Sequence, residues 1–164
     1  MASSTYTAQG SLATLTLGPQ PIVTGTSYTA AGQLASLTYG NGVTTTQTYD
    51  PKTLRLATLT STHPTQGTLQ NFAYEFDKVG NVTQLQDFAR GTTQRFTYDG
   101  LNRLTQKSYA IPTGSGIPTP GSVTYTYDDP TLEFGKGKLT RVTDGSGSTA
   151  FTYDALGRVV RETK

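Results

Sequence analysis

The sequence predicts an all-β fold in which consecutive antiparallel hairpins form a curved, open β-sheet ribbon. Two patterns predict it: a Tyr-Asp dipeptide or a close variant returns along the chain, and turn-forming residues follow each copy. Successive copies lie 21 to 29 residues apart, and periods in this range indicate stacked supersecondary units. We therefore predict one repeat array over residues 1–164, with seven registers that open at Tyr6, Tyr28, Tyr49, Phe76, Tyr98, Tyr127 and Tyr153.

The residues before each register aromatic alternate in type, as in the segments 72–76 and 124–127. Aromatic residues and Thr favour strands, and a period of two places them on opposite faces of a sheet. A Leu or Val follows the aromatic after six residues in five copies, after seven in the Tyr49 copy and after twelve in the Tyr127 copy. We expect each repeat to contain two antiparallel strands, with loop insertions in the two longer copies.

The residues between those strands have the chemistry of tight turns. Asp accepts hydrogen bonds from amides two residues on, and the Gly or Asn that follows tolerates a positive φ. Elsewhere, Asn41-Gly42 favours a two-residue hairpin, and segments 89–91 and 144–148 predict slightly longer hairpin loops. Pro and Gly in segments 61–68 and 111–122 predict longer surface loops. No window has the apolar spacing of an amphipathic helix.

The composition limits both the core and the partners. Hydrophobic residues make up 34% of the chain, below the roughly 45–50% of an average globular domain, so a solid core would be thin. A net charge of +2 gives no electrostatic case for nucleic acid. No apolar run reaches the roughly 20 residues of a membrane span. The absence of cysteine excludes disulfides and thiolate metal sites.

No group of residues predicts catalysis, a metal site or a cofactor. The only histidine, His63, is better explained as a surface loop residue than as a metal ligand. The recurring Asp residues fit turn capping better than calcium, because a calcium site needs about six or more converging oxygen atoms. Four recurring arginines are candidates for ion pairs with repeat Asp residues or for cation–π contacts with Tyr rings: Arg95, Arg103, Arg141 and Arg158.

The segment from Gly91 to Leu104 resembles the signature of the YD-repeat or RHS family, which reads Gly, three variable residues, Arg-Tyr-x-Tyr-Asp-x-x-Gly-Arg-Leu. Phe96 replaces the first Tyr of that signature, and Asn102 replaces the second Gly. Weaker copies extend the resemblance over nearly the whole chain, and several spaced copies are more specific than one short motif. The residues that carry the signature are Tyr49, Asp50, Phe76, Asp77, Gly80, Asn81, Gly91, Arg95, Tyr98, Asp99, Asn102, Arg103, Leu104, Tyr127, Asp128, Tyr153, Asp154, Gly157 and Arg158.

Members of this family build β-sheet ribbons that wind into a hollow shell in bacterial toxin complexes, polymorphic toxins and animal teneurins. The resemblance implies a non-catalytic segment of such a shell, without a cofactor, in a secreted or surface-displayed bacterial parent protein. Its partners would be the remaining repeats and a C-terminal effector enclosed by the shell. Strands at the ends of such a segment expose pairing edges, so we also expect self-association.

A carbohydrate- or cell-surface-binding module is the alternative hypothesis, because exposed Tyr rings can stack on sugar faces. An enzyme is a more distant third, since no candidate nucleophile has an identifiable base. The burial of the rings separates the first two hypotheses. Packing of Tyr98, Tyr127 and Tyr153 between strands favours an architectural role, whereas an exposed row of rings favours glycan binding.

Overall fold

In the computed structural model, which describes residues 1–164, the chain forms fourteen β-strands and no helix. The strands hydrogen-bond in the order in which they occur in the sequence, and paired neighbours are antiparallel. The predicted all-β fold of consecutive antiparallel hairpins is confirmed. The strands are β1 (Ala2–Tyr6), β2 (Leu12–Leu17), β3 (Gln20–Tyr28), β4 (Leu34–Tyr39), β5 (Thr44–Tyr49), β6 (Leu56–His63), β7 (Gly67–Phe76), β8 (Val82–Asp87), β9 (Thr92–Tyr98), β10 (Leu104–Ala110), β11 (Val123–Tyr127), β12 (Leu139–Asp144), β13 (Gly147–Tyr153) and β14 (Val159–Thr163).

Each register aromatic is the last residue of an odd-numbered strand, and the Leu or Val after it is the first residue of an even-numbered strand. The two residues pair across their hairpin, as Tyr98 does with Leu104 and Tyr153 with Val159. A register shift lies beside each of these pairs, and such a bulge bends the strand and increases its twist. The aromatic and the aliphatic residue therefore frame every repeat turn.

The turn after the aromatic repeats one backbone geometry. In the Tyr98 copy, the amide of Asp99 donates to the Arg103 carbonyl, and the amide of Asn102 donates to the Asp99 carbonyl, each over 3.0 Å. Asn102 has a φ of 61°, so the loop is a type I turn closed by a left-handed residue, which forms a G1 bulge. Four further copies make the same two bonds with glycine at the left-handed position. These glycines are Gly10, Gly32, Gly80 and Gly157.

The two longer copies depart from this geometry. In the Tyr49 copy the turn is one residue longer, and Leu54 adopts the left-handed conformation with a φ of 58°. In the Tyr127 copy, Asp128 itself has a φ of 58°, and its amide donates to the Lys138 carbonyl across the inserted loop. Left-handed backbone is unfavourable for Leu but is tolerated by Asp, so only the Tyr49 copy introduces local strain.

Of the two longer surface loops predicted from the sequence, one is found and the other is not. The predicted break at 61–68 is wrong, because β6 continues to His63 and β7 begins at Gly67. Pro64 occupies the short loop between them, where no strand partner requires the amide that proline lacks. Segment 111–122 contains no strand, as predicted, and β10 and β11 lie on either side of it.

Two hairpin loops have lengths other than those predicted. Asn41 lies in a three-residue loop and not in a two-residue one, because the amide of Tyr39 donates to the Val43 carbonyl over 2.8 Å. Gly42 supplies the left-handed residue there, with a φ of 87°. Conversely, Asp144 pairs directly with Gly147, which leaves a two-residue loop.

The chain divides into two compact units. Unit 1 comprises Met1–Tyr74 and Gln86–Arg90, and unit 2 comprises Glu75–Leu85 and Gly91–Lys164. Val23 is the only apolar side chain that is buried, so neither unit has a solid core. No helix of the length and hydropathy needed to cross a membrane is present.

Candidate functional site: the joints between repeats

A hydrogen bond from the register tyrosine links a repeat to the one before it. The hydroxyl of Tyr98, at the end of β9, donates to the Val82 carbonyl at the start of β8 over 2.9 Å. Four other register tyrosines make the same bond, and in all five bonds the acceptor is the carbonyl of the Leu or Val that begins the preceding even-numbered strand. The same bond, over 2.6 to 3.0 Å, occurs from Tyr28 to Leu12, from Tyr49 to Leu34, from Tyr127 to Leu104 and from Tyr153 to Leu139.

The two remaining register aromatics differ. Tyr6 belongs to the first repeat, and its hydroxyl accepts a hydrogen bond from Ser4 over 3.1 Å. Its ring is 63% exposed, whereas the tyrosines that make the inter-repeat bond are half-buried. Phe76 has no hydroxyl to donate. The tyrosines whose hydroxyls make the inter-repeat hydrogen bond are therefore less exposed than Tyr6, whose hydroxyl does not make it.

The strand register is the same at three of the five joints, whereas the β2–β3 joint differs from them, because Leu15 pairs there with Val23 and not with Thr24. The residue two positions after the opening Leu pairs with the residue three positions before the next register Tyr. This holds in unit 1 between β4 and β5, and in unit 2 between β10 and β11 and between β12 and β13. The three pairs are Ser36 with Thr46, Gln106 with Thr124 and Arg141 with Ala150.

The Asp that follows the register aromatic holds the turn. Oδ1 of Asp99 accepts the amides of Leu101 and Arg103 over 2.8 and 3.0 Å. Asp50, Asp77 and Asp154 likewise accept the amide two residues on. In the first two repeats a Thr hydroxyl accepts the amide four residues on, so the first two copies keep a cap although they lack the carboxylate.

These contacts change the acidity of the turn carboxyls. The hydrogen bond from the Arg103 amide is the largest cause that lowers the pKa of Asp99, and its guanidinium adds to it. At Asp77 partial desolvation would raise the pKa, but hydrogen bonds from Asn81 and from the turn amides outweigh it and lower the pKa. Burial raises the pKa of the Tyr98 hydroxyl. The folded turn therefore favours charged Asp beside neutral Tyr.

Side chains also connect neighbouring turns, and each comes from the residue just before the opening Leu or Val. Arg103 is the clearest example. Its Nε donates to Asp99 in its own turn over 2.7 Å, and its Nη2 donates to Asp128 in the next repeat. The guanidinium carbon lies 4.4 Å from the centre of the Tyr127 ring. One arginine thus contacts both members of the next Tyr-Asp pair.

Other residues at the same position reach the next repeat with different chemistry. Nδ2 of Asn81 donates to the side-chain oxygen of Asn102 over 3.0 Å, and Nε2 of Gln33 donates to the Leu54 carbonyl over 2.7 Å. Nζ of Lys138 lies 5.8 Å from the centre of the Tyr153 ring. We call the residue just before the opening Leu or Val the connector. Its location is the same in these copies, but its partner differs from copy to copy.

The remaining arginines are arranged differently. Arg158 pairs with Asp154 of its own turn over 2.7 Å, and its side chain is 73% exposed. Arg95 in β9 and Arg141 in β12 are exposed and make no ion pair. Gly91, at the start of the Tyr98 copy, has a φ of 66° in the turn before β9.

The His63 side chain contacts two loops, and its Nε2 lies 3.2 Å from the Asn41 carbonyl in the β4–β5 loop. Its Nδ1 accepts the amides of Thr65 and Gln66 over 3.3 Å each. No group of three or more His, Cys, Asp or Glu side chains is arranged to hold a metal ion. An open cleft of about 620 Å³ lies in unit 2 beside the Tyr127 insertion, lined by Leu101, Pro130, Leu132 and Gly137 and by the charged residues Asp128, Asp129 and Lys136. The Asp128 carboxylate there is already bonded to the Arg103 guanidinium and to the Gly137 amide.

The family model for the RHS Repeat matches residues 76–114 and 135–164. These two stretches, which make up less than half of the chain, are similar to RHS repeats. The matched stretches include the Phe76, Tyr98 and Tyr153 registers. The Tyr6, Tyr28, Tyr49 and Tyr127 registers lie outside them, yet the first two copies share the turn geometry, and Tyr28, Tyr49 and Tyr127 make the inter-repeat hydrogen bond.

Several solved structures match nearly the whole chain. A crystal structure of TcdB2-TccC3 without the hypervariable C-terminal region is 27% identical, with a TM-score of 0.78. A Tc holotoxin pore from Photorhabdus luminescens is 26% identical, with a TM-score of 0.76. Each match covers 97% of this chain and 9% of the other, so this chain spans about a tenth of the length of those proteins. No curated protein matches the chain.

The sequence did not identify the acceptors of the inter-repeat hydrogen bonds. The Tyr, Asp and Gly or Asn positions are visible as a repeated motif, but the partner of each hydroxyl is a backbone carbonyl, which every residue carries. The connector position has no fixed residue type, since Gln33, Asn81, Arg103 and Lys138 all occupy it. Its only sequence signal is its place just before the opening Leu or Val.

Proposed function

We propose that the chain is a non-catalytic wall segment of an RHS shell, which encloses or displays a C-terminal effector in a larger secreted or surface-displayed bacterial protein. One observation carries the proposal: the register tyrosines direct their hydroxyls to the backbone of the preceding repeat. The residues that recur most often are therefore occupied in holding neighbouring repeats together.

The turn chemistry supports the same role. The repeat Asp carboxylates accept amides of their own turns, and Arg103 connects two turns. Likeness to the toxin-complex structures supports a place in a larger toxin-type assembly. A sheet with so little buried apolar surface also suits a wall, because a wall is wetted and needs no solid core.

Protease protection of the complete parent protein tests this function. The parent would be expressed from its full reading frame and digested under native conditions, with the region C-terminal to the repeats followed by mass spectrometry. We expect that region to survive in the native protein and to be cleaved once the protein is denatured. Equal cleavage in both states would contradict enclosure.

The carbohydrate-binding alternative has weaker support, because the hydroxyls of Tyr98, Tyr127 and Tyr153 already have backbone partners. One half-buried aromatic cluster remains available to it, where Nζ of Lys107 lies 5.0 Å from the centre of the Tyr109 ring. A glycan array with the chain tests this alternative. A glycan whose binding is lost in Tyr109→Ala, with the fold intact by circular dichroism, would favour it over the wall.

A further inference from the structure

The insertion in the Tyr127 copy has a defined backbone structure of its own. Three successive turns make up most of it, over residues 129–132, 132–135 and 135–138, and each is closed by an amide that donates to the carbonyl three residues before it over 3.1 to 3.2 Å. Asp129 holds the first turn, because its Oδ1 accepts the Thr131 amide over 2.9 Å and the Thr131 hydroxyl over 2.6 Å. The insertion therefore has a fixed shape before any ligand binds.

The insertion lines the open cleft of about 620 Å³ together with Leu101 of the preceding repeat turn. Leu101 is 72% exposed, and Pro130 and Leu132 add apolar surface from the insertion. The volume lies within the roughly 300–1,000 Å³ of small-molecule sites. The Tyr98 copy closes its turn without an insertion, so the repeat architecture does not require this apolar surface. Insertions in repeat arrays often form the binding face.

The charged groups that line the cleft differ in whether they have partners. The Asp128 carboxylate accepts hydrogen bonds from the Arg103 guanidinium and the Gly137 amide. The Lys136 side chain is exposed and makes no salt bridge with any acid. An anion that enters the cleft would therefore meet an available ammonium group beside apolar surface.

The second carboxylate of the cleft, that of Asp129, is compensated by groups around it. The Thr131 hydroxyl and amide lower the pKa of Asp129, and the positive charge of Arg141 adds to this effect. Asp129 is thus charged but has its own partners, and the Lys136 ammonium remains free to pair with a ligand.

We propose that the cleft binds an apolar carboxylate, a short hydrocarbon chain that ends in one carboxylate, whose apolar part contacts Leu101 and the insertion and whose carboxylate pairs with Lys136. A peptide fits the cleft less well, because its backbone amides and carbonyls need hydrogen-bond partners when they are buried. The amides of Leu132 and Gly137 already donate within the insertion. This inference does not depend on the proposed shell function.

Titration of the full chain with hexanoate, hexanol and hexylammonium tests the proposal, because the three probes share one hydrocarbon chain and differ in charge. Amide shifts would be followed by nuclear magnetic resonance at pH 7 and low salt, where exposed charges are least screened. We expect hexanoate to shift the amides of Leu101 and of residues 131–138, with a dissociation constant of about 1–20 mM. Hexanoate should bind about threefold to tenfold more tightly than hexanol. Hexylammonium that binds as tightly as hexanoate, or shifts confined to other parts of the chain, would overturn the proposal.

Two pairs of variants locate the site within the chain. Lys136→Met removes the charge, so the affinity for hexanoate should fall to that for hexanol, whereas Lys52→Met, at an exposed lysine in unit 1, should leave both affinities unchanged. Leu101→Ser should weaken hexanoate and hexanol alike by about threefold. Leu156→Ser is its matched control, because Leu156 has the same turn position and is 78% exposed. Equal effects within either pair would contradict the assignment to this cleft.

A competition experiment separates a free carboxylate from a peptide that carries the same groups. Acetyl-leucyl-glutamyl amide has an aliphatic side chain and a carboxylate, but it also has a peptide backbone. We expect it to displace hexanoate no better than unlabelled hexanoate does. Displacement at a concentration about tenfold lower would assign the cleft to a peptide segment and would refute the proposed ligand class.

Discussion

Removal of the register hydroxyls tests the central claim about the joints. Tyr98→Phe keeps the ring and deletes only the donor to the Val82 carbonyl, a bond of 2.9 Å in half-buried surroundings. A neutral hydrogen bond of this kind contributes about 1 kcal/mol net to the free energy of unfolding. The three tyrosines of unit 2 make separate bonds, so their effects should nearly add. Tyr98→Phe, Tyr127→Phe and Tyr153→Phe together should cost about 3 kcal/mol.

Urea denaturation followed by circular dichroism measures these differences. Tyr125→Phe is the control, because Tyr125 lies in β11 next to the register but its hydroxyl makes no hydrogen bond in the structure. It should change the free energy of unfolding by less than about 0.5 kcal/mol. If the triple variant is no less stable than the Tyr125→Phe chain, the inter-repeat hydroxyl bonds do not hold the array together.

Three further perturbations test the backbone and the turns by the same denaturation assay. Gly40→Ala should cost about 1–3 kcal/mol, because its Cβ would overlap a backbone carbonyl of β3, whereas Gly25→Ala has open space and should cost far less. Leu54→Gly should gain about 0.5–1 kcal/mol by relieving a φ of 58°; Leu101→Gly, at an exposed turn position without positive φ, should instead lose stability, and equal effects would refute the strain argument. The lowered pKa values of the turn carboxyls mean that their stabilisation is present above the unfolded value of 3.8 and is lost as the pH falls through the lower folded values. We therefore expect a flat stability profile from about pH 5 to 7 and a decline below about pH 4, and a chain equally stable at about pH 2 would contradict the capping role.

Much of the fold can be predicted from the sequence, because the strands and the turn of each repeat are determined by residues close together in the chain. The alternation before Tyr98 predicts a strand, and the Asp and Asn after it predict the turn, since both are short-range effects. Loop lengths were harder to predict. Pro64 and Gly67 predict a break, but a tight hairpin also accommodates them, because Pro64 lies in a loop of three residues and Gly67, the first residue of β7, adopts a φ of 72°.

The joints were beyond sequence reasoning for a different reason. The bond from Tyr127 to Leu104 spans 23 positions and ends on a carbonyl, and only the three-dimensional register identifies that acceptor. Arg103 was a candidate for an ion pair or for a contact with a Tyr ring. The structure shows both interactions at once, because the turn brings Asp99, Asp128 and the Tyr127 ring to one guanidinium.

The direction of the tyrosine bond has a consequence for synthesis. In all five joints the donor belongs to the later repeat and the acceptor to the earlier one. As the chain leaves the ribosome from its N-terminus, each new tyrosine therefore meets a carbonyl that has already been made and placed in a strand. Growth by addition at one end needs no distant segment to arrive first, and domains are known to fold in this N-terminal-first order. An array built in this way can lengthen by one hairpin at a time without rearranging what has already folded.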